Sequence, residues 1–142
     1  MEPETGRCGA ILQAWYPGQA GGTAVAEVLF GDYNPAGRLP VTFYRNVSQL
    51  PDFEDYNMTG RTYRYMTQEP LFPFGHGLSY TSFCYGAVVL GSDNIKSGEK
   101  LRLNVPVTNT GKCDGEEVVQ VYLKKNDDVE GPSKALRSFN RV

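Results

Sequence analysis

The stretch PFGHGLSYT, at residues 73–81, marks the point where the chain changes character. A glycine-rich helix signal and long irregular loops lie before it, and short apolar runs that alternate with polar residues follow it. Gly75 and Gly77 flank the lone histidine, His76, and this pattern indicates a backbone bend that a Cβ would obstruct. We therefore expect one structural unit to pass into the next at this stretch.

Beyond residue 81 the apolar side chains recur with a period of two, which is typical of β-strands with one buried face. Four strands are predicted, within residues 83–89, 101–107, 119–123 and 136–139. Turn signals rich in Gly, Asn and Asp separate them. Pro106 lies inside the second run and predicts a sheet edge or a bulge, because proline cannot donate to a strand ladder. Strands at this spacing predict a β-sandwich.

The N-terminal part predicts one strand, one turn and one helix. The apolar run at residues 10–15 ends in a Tyr-Pro-Gly turn and predicts a buried strand. The helix that follows is predicted to have Thr23 as its N-cap and Gly31 as its C-terminal stop. A strand, a turn and a helix make one unit of an α/β layer, so this part is expected to be the tail of a larger α/β domain.

The middle of the chain has mostly loop chemistry. A brief strand is predicted at residues 41–44, and a second one at residues 62–66 with Tyr63 and Tyr65 on one face. The irregular segment between them, residues 45–61, is long for a loop inside a compact domain. Loops of that length are usually functional or packed against another part of the protein.

Composition argues against several classes of function. The net charge of −2 gives no general attraction to nucleic acid or to an anionic membrane, so neither is an expected partner. No apolar run approaches membrane-spanning length, and the acidic N-terminus lacks the apolar core of a signal peptide. Cys8, Cys84 and Cys113 have neither the density of a disulfide framework nor metal-ligand spacing. We expect buried or incidental thiols and no metal site built on them.

Six motifs follow one another along the chain: AWYPGQAGG (14–22), LFGDYNPAGRLP (29–40), GRTYRY (60–65), PFGHGLSYT (73–81), VTNTG (107–111) and EVVQVY (117–122). In this order and spacing they resemble the family-three glycoside hydrolases, the family of β-glucosidases and β-xylosidases. The resemblance implies a mainly β chain. Residues 1–45 would be the C-terminal end of an α/β sandwich domain. Residues 46–70 would be the loop that connects it to the next domain. Residues 71–142 would form a truncated fibronectin type III-like (immunoglobulin-like) β-sandwich.

The resemblance also implies a parent enzyme: a secreted or periplasmic, retaining, exo-acting hydrolase of terminal β-linked glucose or xylose that needs no cofactor. Its expected partners are an oligosaccharide substrate and the remaining domains of the parent chain. Retaining hydrolysis needs two carboxyl groups about 5–5.5 Å apart. In this family the nucleophilic Asp lies on an N-terminal barrel and the acid/base, commonly a Glu, lies upstream of the Trp15 motif. We therefore assign no catalytic, cofactor-binding or metal-binding residue to this chain.

Other chemistry-bearing residues have structural interpretations. The acidic cluster Asp52, Glu54 and Asp55 is expected to be solvated loop charge, and Asp32 is expected to cap a turn. His76 has no accompanying nucleophile motif and is expected to pack or to hydrogen-bond rather than act as a base.

Two alternatives stay open from the sequence. Tyr63, Arg64 and Tyr65 suit contact with a pyranose ring, but they suit packing of the sandwich against its neighbour better. Trp15 also suits a sugar contact, but it is more readily explained as a side chain that fills the α/β core. The chain as a whole is either a supporting part of the parent enzyme or a stand-alone module that binds carbohydrate or protein. A sandwich without its last strands has an open edge, which predicts marginal stability or a dimer that pairs those edges.

Overall fold

The computed structural model of the chain describes residues 6–142. Short antiparallel strands are the most numerous regular elements in it, which confirms the mainly β fold class. The helices are α1 (Gly21–Phe30) and α2 (Thr62–Tyr65), with a 3-10 turn at Val47–Gln49. The strands are β1 (Phe83–Tyr85), β2 (Val89–Leu90), β3 (Leu103–Asn104), β4 (Val107–Asn109), β5 (Val118–Leu123) and β6 (Ala135–Arg141).

Strands β1 to β4 form a two-stranded antiparallel ribbon that is interrupted in its middle. β1 pairs with β4, and β2 pairs with β3. Between the two pairs, the Gly86 N–H donates to the carbonyl of Pro106 at 2.8 Å. Pro106 has no N–H to return, so the ladder breaks there. The predicted irregularity at Pro106 is confirmed, and each of the two long predicted strands is divided into two short ones.

Strands β5 and β6 form the longest antiparallel pair. Their register shifts between Val121 and Tyr122, which pair with Ser138 and Leu136. Arg137 is therefore the extra residue of a β-bulge, a feature that bends a strand locally. Beyond the pair, Glu117 and Val142 exchange two backbone hydrogen bonds of 2.9 and 3.0 Å. The predicted strands in this region are confirmed.

The N-terminal predictions are partly wrong. Residues 10–15 form no strand and are exposed, because no described strand lies beside them to complete a ladder. Helix α1 begins at Gly21 after Ala20, with no side-chain cap, so the prediction for Thr23 is wrong. The prediction for Gly31 is confirmed: it ends the helix in the left-handed conformation (φ 85°), and its N–H donates to the carbonyl of Val28.

The two predicted strands of the middle segment are also wrong as strands. Residues 41–44 provide only a single antiparallel bridge, between Phe43 and Phe72. Residues 62–65 turn into the short helix α2, whose last residue donates from its N–H to the carbonyl of Arg61 at 3.3 Å. The period of two shown by Tyr63 and Tyr65 is not sufficient to predict a strand, because a strand also needs a neighbouring strand.

The loop at residues 31–40 is joined to the β unit by backbone and side-chain hydrogen bonds. The Asn34 carboxamide accepts from the Ser79 hydroxyl and the Tyr80 N–H, both at 2.8 Å, and donates to the carbonyl of Asp114 at 2.9 Å. Leu39 exchanges backbone hydrogen bonds with residues 75 and 76, each 2.8 Å long. Helix α1 is thereby anchored to the strands.

The bend predicted at residues 75–77 is confirmed in detail. Gly75 has φ +82° and needs glycine for its backbone conformation. A Cβ on Gly77 would lie 2.2 Å from the carbonyl oxygen of Gly37, so this position needs glycine for close approach. The His76 ring stacks on Phe72, with 5.3 Å between ring centroids, which confirms its expected packing role.

The described residues bury very little apolar material. Ala36 and Ala135 are the buried apolar side chains in this part of the chain, and no large side chain there is fully enclosed. Trp15 is 48% exposed and fills no core among these residues. A domain of about 150 residues normally buries about 70% of its surface on folding. The apolar faces that would form a core are therefore exposed here.

Unpaired edges are a second open feature of the fold, since each sheet has two strands. The predicted marginal stability and edge-to-edge dimer stay predictions. Within residues 6–142, no helix is long and apolar enough to cross a membrane.

Candidate functional site

The main candidate site is a cleft of about 450 Å³ beside helix α2. Tyr63 and Arg64 line it, whereas Tyr65, the third residue predicted from the sequence, does not. The other walls come from the 40–44 segment, the long loop, the start of α2 and the stretch before the bend: Pro40, Val41, Thr42, Tyr44, Met58, Thr62 and Phe74. The structure thus brings two of the three predicted residues to one concave surface.

The first residue of helix α2, Thr62, lines the cleft and has a strained backbone conformation. Thr62 has φ +55°, a conformation that is rare for a β-branched side chain and costs about 1–3 kcal/mol. Its N–H donates to the Tyr44 hydroxyl at 3.1 Å, and the preceding Arg61 donates from Nε to the carbonyl of Asn57 at 2.9 Å. These contacts hold the turn from both sides, and strain of this kind concentrates at functional sites.

Tyr63 is packed on the β unit rather than offered to solvent. Its ring stacks on Phe74 at 4.3 Å between centroids and meets Tyr122 edge-on at 6.0 Å. Its hydroxyl accepts a hydrogen bond of 3.0 Å from the Leu136 N–H. Burial acts to raise the pKa of Tyr63, but the hydrogen bond with Arg64 and the charges of Arg64 and Lys134 outweigh it and lower the pKa.

Arg64 brings an unbalanced positive charge to the rim. Its side chain is exposed, and its guanidinium carbon lies 6.0 Å from the centre of the Tyr63 ring. Lys134 adds a second cation, with Nζ 4.7 Å from the centre of the Tyr122 ring. Among the described residues, neither Arg64 nor Lys134 has a carboxylate within 4.0 Å. Arg64 is the one charged side chain among the residues that line the cleft, and Lys134 lies behind them.

One wall of the cleft holds an unsatisfied hydroxyl. The Thr42 Oγ1 atom is enclosed and has no hydrogen-bond partner in the part of the chain that the structure describes. A buried polar group left unpaired costs about 1–3 kcal/mol. Sequence reasoning missed Thr42, because nothing in the pattern of residues 41–44 distinguishes its hydroxyl from that of an ordinary strand threonine.

The clefts lack the chemistry for hydrolysis. No Asp or Glu lines the cleft beside α2, and none lines a second cleft of about 260 Å³ formed by Gln49, Leu50, Pro51, Gly60, Met66, Thr67 and Gln68. In the predicted acidic cluster, Asp52 and Glu54 are exposed, and the Asp55 carboxylate accepts from the backbone and side chain of Asn57. Neither of these two clefts therefore has a pair of facing acids.

Metal binding has no support in the described residues, where no group of three or more His, Cys, Asp or Glu side chains could hold an ion. Cys8, Cys84 and Cys113 are all exposed and free, so of the two predicted alternatives, buried or incidental thiols, the first is wrong and the second agrees with the structure. Their segments lie on short strands and loops that have no apolar layer over them.

The one buried carboxylate among residues 6–142 belongs to a structural cluster that sequence reasoning missed. Glu117 receives a 2.5 Å salt bridge from Arg38 and a 2.7 Å hydrogen bond from the Tyr85 hydroxyl. Burial and the neighbouring carboxylate raise the pKa of Tyr85 to about 12. The only signal in the sequence was a charged residue directly before an apolar strand. Glu117 is thus engaged in joining the 31–40 loop to the strands.

Comparisons with known proteins agree with this architecture. The model of the glycosyl hydrolase family 3 C-terminal domain matches residues 1–80. A xylan 1,4-β-xylosidase of Xylanibacter ruminicola is 56% identical over 142 residues, covering 100% of this chain and 16% of the relative. A periplasmic β-glucosidase of Salmonella typhimurium is 42% identical, covering 94% of this chain and 19% of the relative. The chain thus spans less than a fifth of the length of these two proteins.

Solved structures show the same relationship. A β-glucosidase from Erythrobacter marinus superposes with a TM-score of 0.81 and 48% identity, over 97% of this chain and 19% of that one. A family 3 β-glucosidase from Bifidobacterium adolescentis gives a TM-score of 0.84 and 31% identity, over 99% of this chain and 22% of that one. The chain belongs to glycoside hydrolase family 3 and corresponds to a C-terminal part of its members.

Proposed function

We propose that the chain is a supporting part of a retaining, exo-acting β-glycosidase that removes terminal β-linked xylose or glucose, and that the carboxylates which cleave the bond lie outside these residues. The observation that carries this proposal is the absence of Asp and Glu from both clefts described above. A retaining mechanism needs two facing carboxyl groups. The names of the relatives, which are β-xylosidases and β-glucosidases, support the substrate class.

The proposed supporting role rests on the exposed apolar side chains of the N-terminal part. Between residues 11 and 30, the large apolar side chains that are exposed are Ile11, Leu12, Trp15, Tyr16, Leu29 and Phe30. Burial of such side chains is the main driving force for association. In this proposal these side chains pack against the rest of the enzyme. Residues 1–45 complete an α/β domain, residues 46–70 connect it to the next domain, and residues 71–142 form the β-sandwich.

The location of the parent enzyme is part of the same proposal. We place it outside the cytoplasm, secreted or periplasmic, and the periplasmic β-glucosidase among the relatives supports this. The oligosaccharide substrate would be a partner of the parent enzyme through its catalytic domains. Xylose is the preferred sugar in this proposal, because the relative with 56% identity is a β-xylosidase.

Activity of the isolated chain tests the absence of catalytic residues. We expect no turnover of aryl β-xylosides or aryl β-glucosides above the rate in buffer. Turnover that disappears when one carboxylate of this chain is changed to its amide would contradict the proposal.

Reassembly tests the supporting role. The preceding segment of the Xylanibacter ruminicola relative, produced separately and mixed with this chain, is expected to gain β-xylosidase activity. Phe30→Asp should abolish the gain, because Phe30 is 85% exposed on α1 and would be buried in the assembly. Val129→Asp is the matched control, since Val129 is 97% exposed in the turn between β5 and β6. Equal loss in both variants, or full activity of the preceding segment alone, would contradict the supporting role.

A further inference from the structure

We propose that the cleft beside α2 binds a pyranose ring that carries a carboxylate, that is, a uronic acid residue, with the carboxylate on Arg64. This is a binding site additional to any site where a glycosidic bond is cleaved. It does not depend on the supporting role proposed above, because it needs only residues of this chain.

The charge of the site selects an anion. Arg64 is exposed at the rim, lines the cleft and has no carboxylate partner among residues 6–142. Lys134, on the Tyr122 ring behind Tyr63, adds a second positive charge. A planar guanidinium binds a carboxylate through two parallel hydrogen bonds, and such charge-assisted pairs are about twice as strong as neutral ones. The chain as a whole is acidic, so this positive rim is local.

The walls of the cleft suit a sugar ring better than a bare carboxylate. Val41, Met58 and Phe74 give it apolar surface, which matches the C–H face of a pyranose. The Tyr44 hydroxyl, which accepts from the Thr62 N–H, still has its own proton to donate to a sugar hydroxyl. A carboxylate without a ring would leave these groups unused.

Two further observations mark the cleft as a binding site. Thr62, at the rim, has the strained left-handed backbone that is found at ligand clamps. The volume of about 450 Å³ is within the usual range for small-molecule sites.

Nuclear magnetic resonance titration of the 142-residue chain tests the proposal. The probes are glucuronic acid, glucose, xylose and acetate, each added at constant ionic strength to the wild-type chain. We expect saturable shifts of the amide signals of residues 42, 44, 62 and 64 with glucuronic acid, and at least about tenfold weaker binding of the other three probes.

Arg64→Gln should weaken the binding of glucuronic acid by at least about tenfold, and Arg64→Lys should weaken it less, because lysine keeps the charge but loses the planar fork. Arg102→Gln is the matched control, since Arg102 is exposed and does not line the cleft. Amide signals of the β5–β6 pair that stay in place show that the variants are folded.

Four outcomes would overturn the proposal. Equal affinity for glucose and glucuronic acid would make this a neutral sugar site. Equal affinity for acetate would mean that Arg64 receives a simple carboxylate, such as a side chain from another part of the protein. Absence of saturable shifts in the wild-type chain, or an equal effect of Arg64→Gln and Arg102→Gln, would show that the cleft binds no uronic acid.

Discussion

Replacement of Arg38 by Met should destabilise the chain by about 3 kcal/mol. The Arg38 and Glu117 side chains are only 12% and 11% exposed, and they form a salt bridge of 2.5 Å. Removing one partner of a buried ion pair costs about 3–5 kcal/mol, because the other charge stays buried and unpaired. Since both side chains retain some contact with water and Tyr85 still donates to Glu117, we expect the lower end of that range.

The assay is urea unfolding of the 142-residue chain in a stabilising osmolyte, followed by Trp15 fluorescence and by far-ultraviolet circular dichroism. Arg141→Met is the matched control, because the Arg141–Glu116 ion pair is 52% and 48% exposed. Exposed pairs contribute about 1 kcal/mol or less, so the control should lose far less stability. A second change, Glu117→Gln, should restore at least about 1 kcal/mol to the Arg38→Met variant, since an amide carries no unpaired charge.

Equal losses in Arg38→Met and Arg141→Met would refute this reasoning, because burial would then make no difference to the two ion pairs. So would a double variant that is no more stable than Arg38→Met, because the cost would then not come from the unpaired carboxylate. Either result would assign the effect to lost packing of the Arg38 stem.

Three further predictions concern single positions. Thr42→Val should raise the free energy of unfolding by about 1 kcal/mol in urea titrations, because it removes an unsatisfied hydroxyl; a loss of stability would show that the hydroxyl has a partner. Tyr85 has a folded-state pKa of about 12, above its ordinary value of 10.0, so its stabilising contribution is complete below pH 10.0 and is lost as the pH rises toward 12. Tyr85→Phe should therefore lose less stability than the wild-type chain between pH 9.5 and about 11.5, and equal slopes would contradict this. Gly77→Ala should cost about 3 kcal/mol or more, because its Cβ would lie 2.2 Å from the Gly37 carbonyl oxygen, whereas Gly22→Ala, with open space around it, should cost nothing; equal effects would contradict this.

The sequence predicted the strands best where the pattern itself determines the structure. Residues 118–123 alternate and have a partner strand inside the chain, at residues 135–141, so periodicity was sufficient. The same logic failed at residues 10–15, where no described strand completes the ladder. An apolar run predicts burial, but whether a strand forms depends on a neighbour that local sequence does not contain.

The candidate site was predicted in part. Tyr63 and Arg64 were identified by their chemistry, and both line the cleft, but their location on a helical turn was not predicted. The reason is Thr62, whose left-handed backbone starts the turn although a β-branched residue disfavours it. Such a conformation is imposed by the surroundings, here by the Tyr44 hydroxyl among others, and it is not a preference of the residue itself.

Glu117 and Thr42 were missed for a different reason. The role of each residue depends on its neighbours in the folded structure. Glu117 pairs with Arg38, which is 79 positions away in the sequence. The Thr42 hydroxyl is destabilising because it has no hydrogen-bond partner among the described residues. Sequence spacing reports neighbours along one element, and it carries no signal for pairs that tertiary packing brings together.

The anchoring of the 31–40 loop also bears on how the molecule tolerates being cut. Asn34, Arg38 and Leu39 bind the β unit directly, through contacts that do not pass along residues 46–70. The peptide bonds of that long segment are therefore not what keeps α1 beside the strands. We therefore expect the two pieces to stay associated after a protease nick near Phe53, which is 94% exposed, and this segment to tolerate an inserted sequence.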